Sequence, residues 1–254
     1  MEYRIQATQQ TPAYIIYLLD VSASMNQLME ASGEQKRRID VVTEALASAI
    51  RQMVFRSTKG SRIAPRYRIS ILAYSDHVFD VLGGMKSIDE VARMRPLEGI
   101  QTQRLTDTAK AFSVVEKLLQ EQLPHLQDCP APLVCHMTDG ASTGEDPEPI
   151  AKRIMNMRVP DGHVLLENIF ISDEMLVEPI AQTKKWKGIM KETELQEEYG
   201  KKLKQMSSVI PESYREMMIE TGYSIQPGAL MMLPGTSADL VSLGFQMSAA
   251  TPVR

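Results

Sequence analysis

Three observations predict a doubly wound α/β fold. Short, strongly apolar runs alternate with segments of helical periodicity. Most of those runs end in an acid or a small polar residue. Only one connection between successive runs is too brief for a parallel crossover. The expected sheet is mostly parallel and six-stranded, with one short antiparallel edge strand and helices on both faces.

The elements follow in order. Residues 1–11 are polar and read as a tail or short edge segment, and residues 12–254 as a single domain. The first strand spans residues 13–19, a nearly unbroken apolar run of the kind buried on both faces of a parallel sheet. Residues 26–35 are polar and read as irregular. Ile39, Val42, Leu46, Ile50, Met53 and Val54 recur at helical spacing, with Lys36, Arg37, Arg38, Glu44 and Arg51 between them. Residues 67–74 form the second strand and residues 77–82 the third, paired antiparallel because Ser75-Asp76 leaves no room for a crossover. A short helix is expected over residues 87–94. Ala111, Phe112, Val115, Leu118, Leu119 and Leu123 make a second amphipathic helix. Residues 133–137 are the fourth strand. Asp146 is placed to cap a helix over 150–157, and residues 164–172 are the fifth strand, ending at Asp173. The rhythm breaks over residues 174–227, read as an insertion before a last strand at 229–233 and a terminal helix at 237–247.

Bulk properties bound the function. Hydrophobic content of 43% and charged content of 24% are ordinary globular values. A net charge of -4 argues against a nucleic-acid partner. No run approaches the roughly 18 apolar residues of a membrane span, so no membrane partner is expected. Two cysteines, Cys129 and Cys135, are too few for a disulfide framework. With no apolar leader after Met1, a cytoplasmic setting is expected.

The chemistry gathers at strand ends. Asp20, Ser22 and Ser24 follow the first strand directly and offer one carboxylate and two neutral oxygens from a tight loop. That set suits a hard cation such as Mg²⁺. The fourth strand ends in Thr138-Asp139-Gly140, again an acid after a buried run. In a doubly wound sheet such strand ends share one rim, where ligands bind. Each residue also has a plainer reading. Asp20 with Ser22 could form an Asx turn, and a Thr at a helix start could be an N-cap. His136 beside Cys135 could suggest zinc, but strand neighbours face opposite ways and no second Cys/His pair exists, so buried packing is expected. The 17 methionines are dispersed and read as core filling.

Asp20-x-Ser22-x-Ser24 after a buried strand, with Thr138-Asp139-Gly140 after a later one, resembles the von Willebrand factor A domain over about residues 12–173. In that family these loops form a metal-ion-dependent adhesion site. The resemblance implies a Rossmann-like fold and direct hydroxyl ligation by Ser22 and Ser24. Asp20 and Asp139 would act largely through water or through hydrogen bonds to those hydroxyls. It also implies a Thr from a second loop, five residues before a small residue that precedes an apolar one. Thr106, with Ala111 and Phe112, satisfies that spacing; Thr102 is the runner-up and Thr108 is less favoured. Arg104-Leu105 stands where the family has Gly-Gly.

The implied function is a module that grips a partner protein's Asp or Glu through Mg²⁺ or Mn²⁺. The chain looks most like bacterial stand-alone members of the tellurite-resistance-associated type, which implies a Ser/Thr kinase or a metal-dependent phosphatase as partner, in a phospho-signalling or stress context. The alternative is a Mg²⁺-dependent phosphohydrolase or phosphotransferase on a similar sheet, with Asp20 and Asp139 holding the ion. Against it, Ser22 stands where haloacid-dehalogenase-type phosphatases carry a second Asp. The chain also has no Gly-rich phosphate loop with a Lys. A third reading has the metal only stiffening the loops.

Overall fold

The computed structural model describes residues 3–31, 33–94, 97, 100–103, 105–140, 142–172 and 174–251. Arg104 and Asp173 lie outside the described residues. In chain order the main elements are β1 (Ala13–Asp20), α1 (Arg38–Ser57), β2 (Tyr67–Tyr74), β3 (Val78–Asp80), β4 (Lys86–Ser87), α2 (Ile88–Val91) and α3 (Thr108–Gln122). They continue with β5 (Leu133–Thr138), α4 (Glu148–Asn156), β6 (Leu165–Phe170), α5 (Glu198–Gln205), α6 (Glu212–Glu220), β7 (Met232–Pro234) and α7 (Ala238–Ser248).

The main sheet has the order β7-β6-β5-β1-β2-β3, with β4 also pairing β2. All of these pairings are parallel except those of β3 and β4, which run antiparallel to β2. The sheet therefore has seven strands rather than six, because the two-residue β4 adds a second short antiparallel partner. Such a short run carries no period for a sequence to display.

β1 lies at the centre, paired with β2 from Ala13↔Tyr67 to Asp20↔Tyr74 and with β5 from Ile15↔Leu133 to Leu19↔Met137. All eight of its residues are buried. Alternation then splits the core. Ile15, Tyr17 and Leu19 pack on the face covered by α1 and α7; Tyr14, Ile16 and Leu18 pack on the face covered by α3, α4 and α5. An apolar run without polar alternation is what two covered faces require.

Residues 26–35, expected to be irregular, instead hold a two-stranded hairpin, Leu28–Ala31 with Glu34–Arg37. Gly33, with φ of +83°, supplies the left-handed turn residue. Leu28 is exposed while Met29 and Ala31 are buried, so hydropathy does not report the alternation. In the 174–227 stretch, α5 packs against β6, and Asn168 Nδ2 donates to Met206 O and Ser207 Oγ, both at 2.9 Å. Ser208 is bonded both to Leu166 and to Met231, so this stretch is stitched to the sheet. At the N-terminus, the Asp161 carboxylate accepts from the Arg4 and Ile5 amides at 2.8 and 2.9 Å, and Ala7 is fully buried. Cys129 and Cys135 are both free and buried. Among the described residues no helix is long and apolar enough to cross a membrane.

Gly244 lets α7 lie close on the sheet. A Cβ there would meet Ile169 Cδ1 at 2.5 Å and Cγ1 at 2.7 Å. Gly244→Val is expected to cost about 2 kcal/mol through overpacking, read as a lower urea midpoint with an unchanged slope.

Candidate metal centre

The parallel pairing of β1 with β5 places their C-terminal ends side by side, which brings Asp20 next to Thr138 and Asp139. Thr138 Oγ1 donates to Asp20 Oδ2 at 2.7 Å, and the Ser22 amide donates to Asp20 Oδ1 at 2.8 Å. Ser22 Oγ and Ser24 Oγ are 3.0 Å apart, and Ser24 Oγ donates to Asp139 Oδ1 at 2.6 Å. Four of the five residues expected at the site, Asp20, Ser22, Ser24 and Asp139, thus form one hydrogen-bonded chain.

Thr106 reaches the same rim by a different route. Its loop is tied to the β1 end through Gln103, whose amide donates to Val21 O at 2.6 Å, and to the β2 end through the Asp107 amide on Ser75 O at 2.8 Å. Thr106 O accepts from the Thr143 amide at 2.7 Å and from Thr143 Oγ1 at 2.9 Å, joining this loop to the one after β5. Among the described residues no hydrogen bond links the Thr106 hydroxyl to Asp20, Ser22, Ser24 or Asp139. The alternatives are engaged elsewhere. Thr102 Oγ1 accepts from Asn26 Nδ2, and Thr108 is fully buried with its hydroxyl 3.4 Å from Tyr74 OH. The N-cap of α3 is Asp107, which accepts from the Lys110 amide, so capping does not occupy the Thr106 hydroxyl.

The electrostatics of the two acids differ. Asp20 is fully buried, and burial pushes its carboxyl up to about 6 against the hydrogen bonds from Thr138 and Ser22, with Asp139 adding to the rise. Among the described residues no salt bridge reaches it. Asp139 is also wholly shielded, but its Oδ2 receives Arg38 Nη1 at 3.0 Å. Arg38 is the first residue of α1, and its amide bonds Gln27 O just beyond the Ser24 loop. The sequence placed Arg38 among the charged residues flanking the helix's apolar stripe. The signal available was its position, since a cation at a helix N-terminus opposes the helix dipole and calls for an acid nearby.

The donor set fits a divalent cation of hard character. Two carboxylates and neutral hydroxyls converge at a rim, and the charge that burial disfavours on Asp20 is the charge a cation would offset. Among the described residues there is no group of three or more His, Cys, Asp and Glu side chains placed to hold a metal, so hydroxyl oxygens have to make up the donor set. His136 is no ligand here: it is buried beneath the rim, bonded to Tyr74 OH and Asn168 Oδ1, each at 2.8 Å.

A sequence profile of the von Willebrand factor type A domain matches residues 15–141, half of the chain. No curated protein matches the chain by sequence. Among solved structures, the PilB minor pilin from Streptococcus sanguinis is similar at a TM-score of 0.55 and 10% identity, covering 95% of this chain and 62% of the pilin. Proximal thread matrix protein 1 from the mussel byssus is similar at a TM-score of 0.53 and 13% identity, covering 94% of this chain and 47% of that protein. A further structure of the mussel protein, described as having a zinc-occupied MIDAS motif, gives the same TM-score at 14% identity. The chain therefore spans about half the length of the mussel protein.

Proposed function

Because the chain belongs to the von Willebrand factor type A domain family, we propose that it is a metal-dependent protein-interaction module whose rim holds Mg²⁺ or Mn²⁺ and grips an Asp or Glu of a partner protein. The observation that carries this reading is the hydrogen-bonded chain Thr138–Asp20–Ser22–Ser24–Asp139, which gathers neutral hydroxyls and two shielded carboxylates at one rim.

Ser22 and Ser24 offer hydroxyl oxygens to the ion. Asp20 and Asp139 orient the loop that carries those hydroxyls, and Thr106 adds an oxygen from the second loop. Few anionic oxygens face the ion, so it retains charge for an incoming carboxylate. The mussel protein's zinc-occupied MIDAS supports a divalent ion at the equivalent loops. Among the described residues no histidine is hydrogen-bonded to Asp20, Ser22, Ser24 or Asp139 to serve as a base there, so gripping an acid suits these residues better than turnover. The narrower reading, a cytoplasmic module serving a Ser/Thr kinase or a metal-dependent phosphatase, rests on the resemblance to tellurite-resistance-associated proteins.

Calorimetric titration with Mn²⁺ tests the proposal. Asp20→Ala and Ser22→Ala are each expected to weaken binding by about a hundredfold while leaving the circular dichroism spectrum unchanged. Wild-type protein that binds no Mn²⁺, or folded variants that bind as well as wild type, would sink it. For the partner, capture in Mg²⁺ that survives both chelator and Ser22→Ala would count equally against it.

A further inference from the structure

The site contains a cation of its own. Arg38 Nη1 lies 3.0 Å from Asp139 Oδ2, while the other oxygen of that carboxylate accepts from Ser24 Oγ at 2.6 Å. Asp139 is wholly shielded from solvent and Arg38 is only 14% exposed, so the pair is poorly screened. Arg38 Nε is also buried and has no hydrogen-bond partner. At the first position of the 20-residue α1, the guanidinium sits where the helix dipole repels it. A largely shielded cation in that position, with a donor unused, is held there chiefly by Asp139.

Resting on the proposed metal-binding role, we infer that Arg38 is a resident competitor for Asp139 that lowers the metal affinity of the rim and couples metal loading to arrival of the partner's carboxylate. The two acids supply two negative charges and Arg38 cancels one, so a divalent ion brings the rim to net positive charge. Repulsion between the guanidinium and the ion weakens loading in the absence of a partner. The same excess charge favours an anion at the open position. The partner's acid then stabilises the ion, and the ion stabilises the partner's acid by the same factor. The rim would thus be poised to load fully only when engaged.

The test is Mn²⁺ binding by electron paramagnetic resonance, with and without glutarate as the carboxylate probe. Arg38→Gln is expected to tighten Mn²⁺ binding without glutarate by about tenfold and to reduce the enhancement that glutarate gives to wild type. Arg38→Lys, which keeps the charge, should stay close to wild type. A folded Arg38→Gln whose Mn²⁺ affinity is unchanged or weaker overturns the inference while leaving the metal site itself standing. Wild-type protein that binds no Mn²⁺ overturns the metal site instead. A wild-type measurement covers the case in which the variant does not fold. In a Mg²⁺ titration followed by ¹⁵N NMR of arginine side chains, the Arg38 guanidinium signal is expected to shift and its rotation to quicken as Asp139 is shared. A signal that stays fixed while Mg²⁺ loads overturns the inference.

Discussion

Glu167→Gln is expected to make the protein more stable than wild type at pH 8, with the advantage disappearing towards pH 4.5. Glu167 stands in the middle of β6, fully buried, and neither carboxyl oxygen has a hydrogen-bond partner. Burial pushes this carboxyl well above the usual range; the nearby Cys135 thiol, a weak donor, only partly opposes that rise. The folded state keeps the proton that the unfolded chain releases above about pH 4.5. Unfolding therefore releases a proton, and the contribution to stability falls as pH rises from there towards the folded-state value, by about 1.4 kcal/mol per pH unit. Glutamine keeps the shape and has nothing to release. Urea unfolding of both proteins at half-unit intervals from pH 4.5 to 8 reads the difference directly. Parallel curves would show that the carboxyl has found a partner or ionises without penalty.

His136→Gln is expected to remove an acid sensitivity of about 3 kcal/mol between pH 6.5 and pH 4. His136 is fully buried, and burial lowers its value from 6.5 to about 4, against the hydrogen bond to Asn168. Asn168 Nδ2 already donates to Met206 O and Ser207 Oγ, so Asn168 Oδ1 must accept from His136 Nδ1. Nε2 then accepts from Tyr74 OH, which makes the ring neutral by assignment from the network. The unfolded chain binds a proton below pH 6.5 that the folded ring refuses down to about 4. Stability from this group is therefore complete above 6.5 and lost as pH falls through that window. Over pH 4.5 to 6.5 it runs opposite to the Glu167 effect, so the wild type alone will look flat. The comparison belongs in the Glu167→Gln background, with and without His136→Gln. Equal acid sensitivity in the two chains would mean that the ring protonates in place.

Much of the fold was legible because its strands are buried on both faces. An apolar run such as β2 needs no partner information to be recognised, and Tyr67–Tyr74 matches the expectation at both ends. The hairpin at Leu28–Ala31 and Glu34–Arg37 was not legible. It lies outside the main sheet, and one of its strands turns a leucine to solvent, so the period that would reveal it is blurred. The same division holds at the rim. Asp20, Ser22 and Ser24 are contiguous in the chain, and Asp139 follows a strand whose pairing is nearly forced. Arg38 could not be read that way. Its role depends on where α1 begins relative to β5, and on a contact spanning a sequence separation of 101 residues.

The central position of β1 also governs the order in which the protein can be completed. β1 is the first strand of the sheet to be synthesised, yet it takes one neighbour from residues 67–74 and the other from residues 133–138. Asp20 must wait through a separation of 118 residues for Thr138, on the order of ten seconds of translation. During that interval one edge of the most apolar strand has no pairing partner in the emerging chain. A chain halted between residues 75 and 132 therefore lacks the strand that covers this edge, and pairing over such separations slows refolding. The residues that form the rim cannot be brought together before β5 is made, so a chain can carry every donor of the site and still lack it until β5 docks.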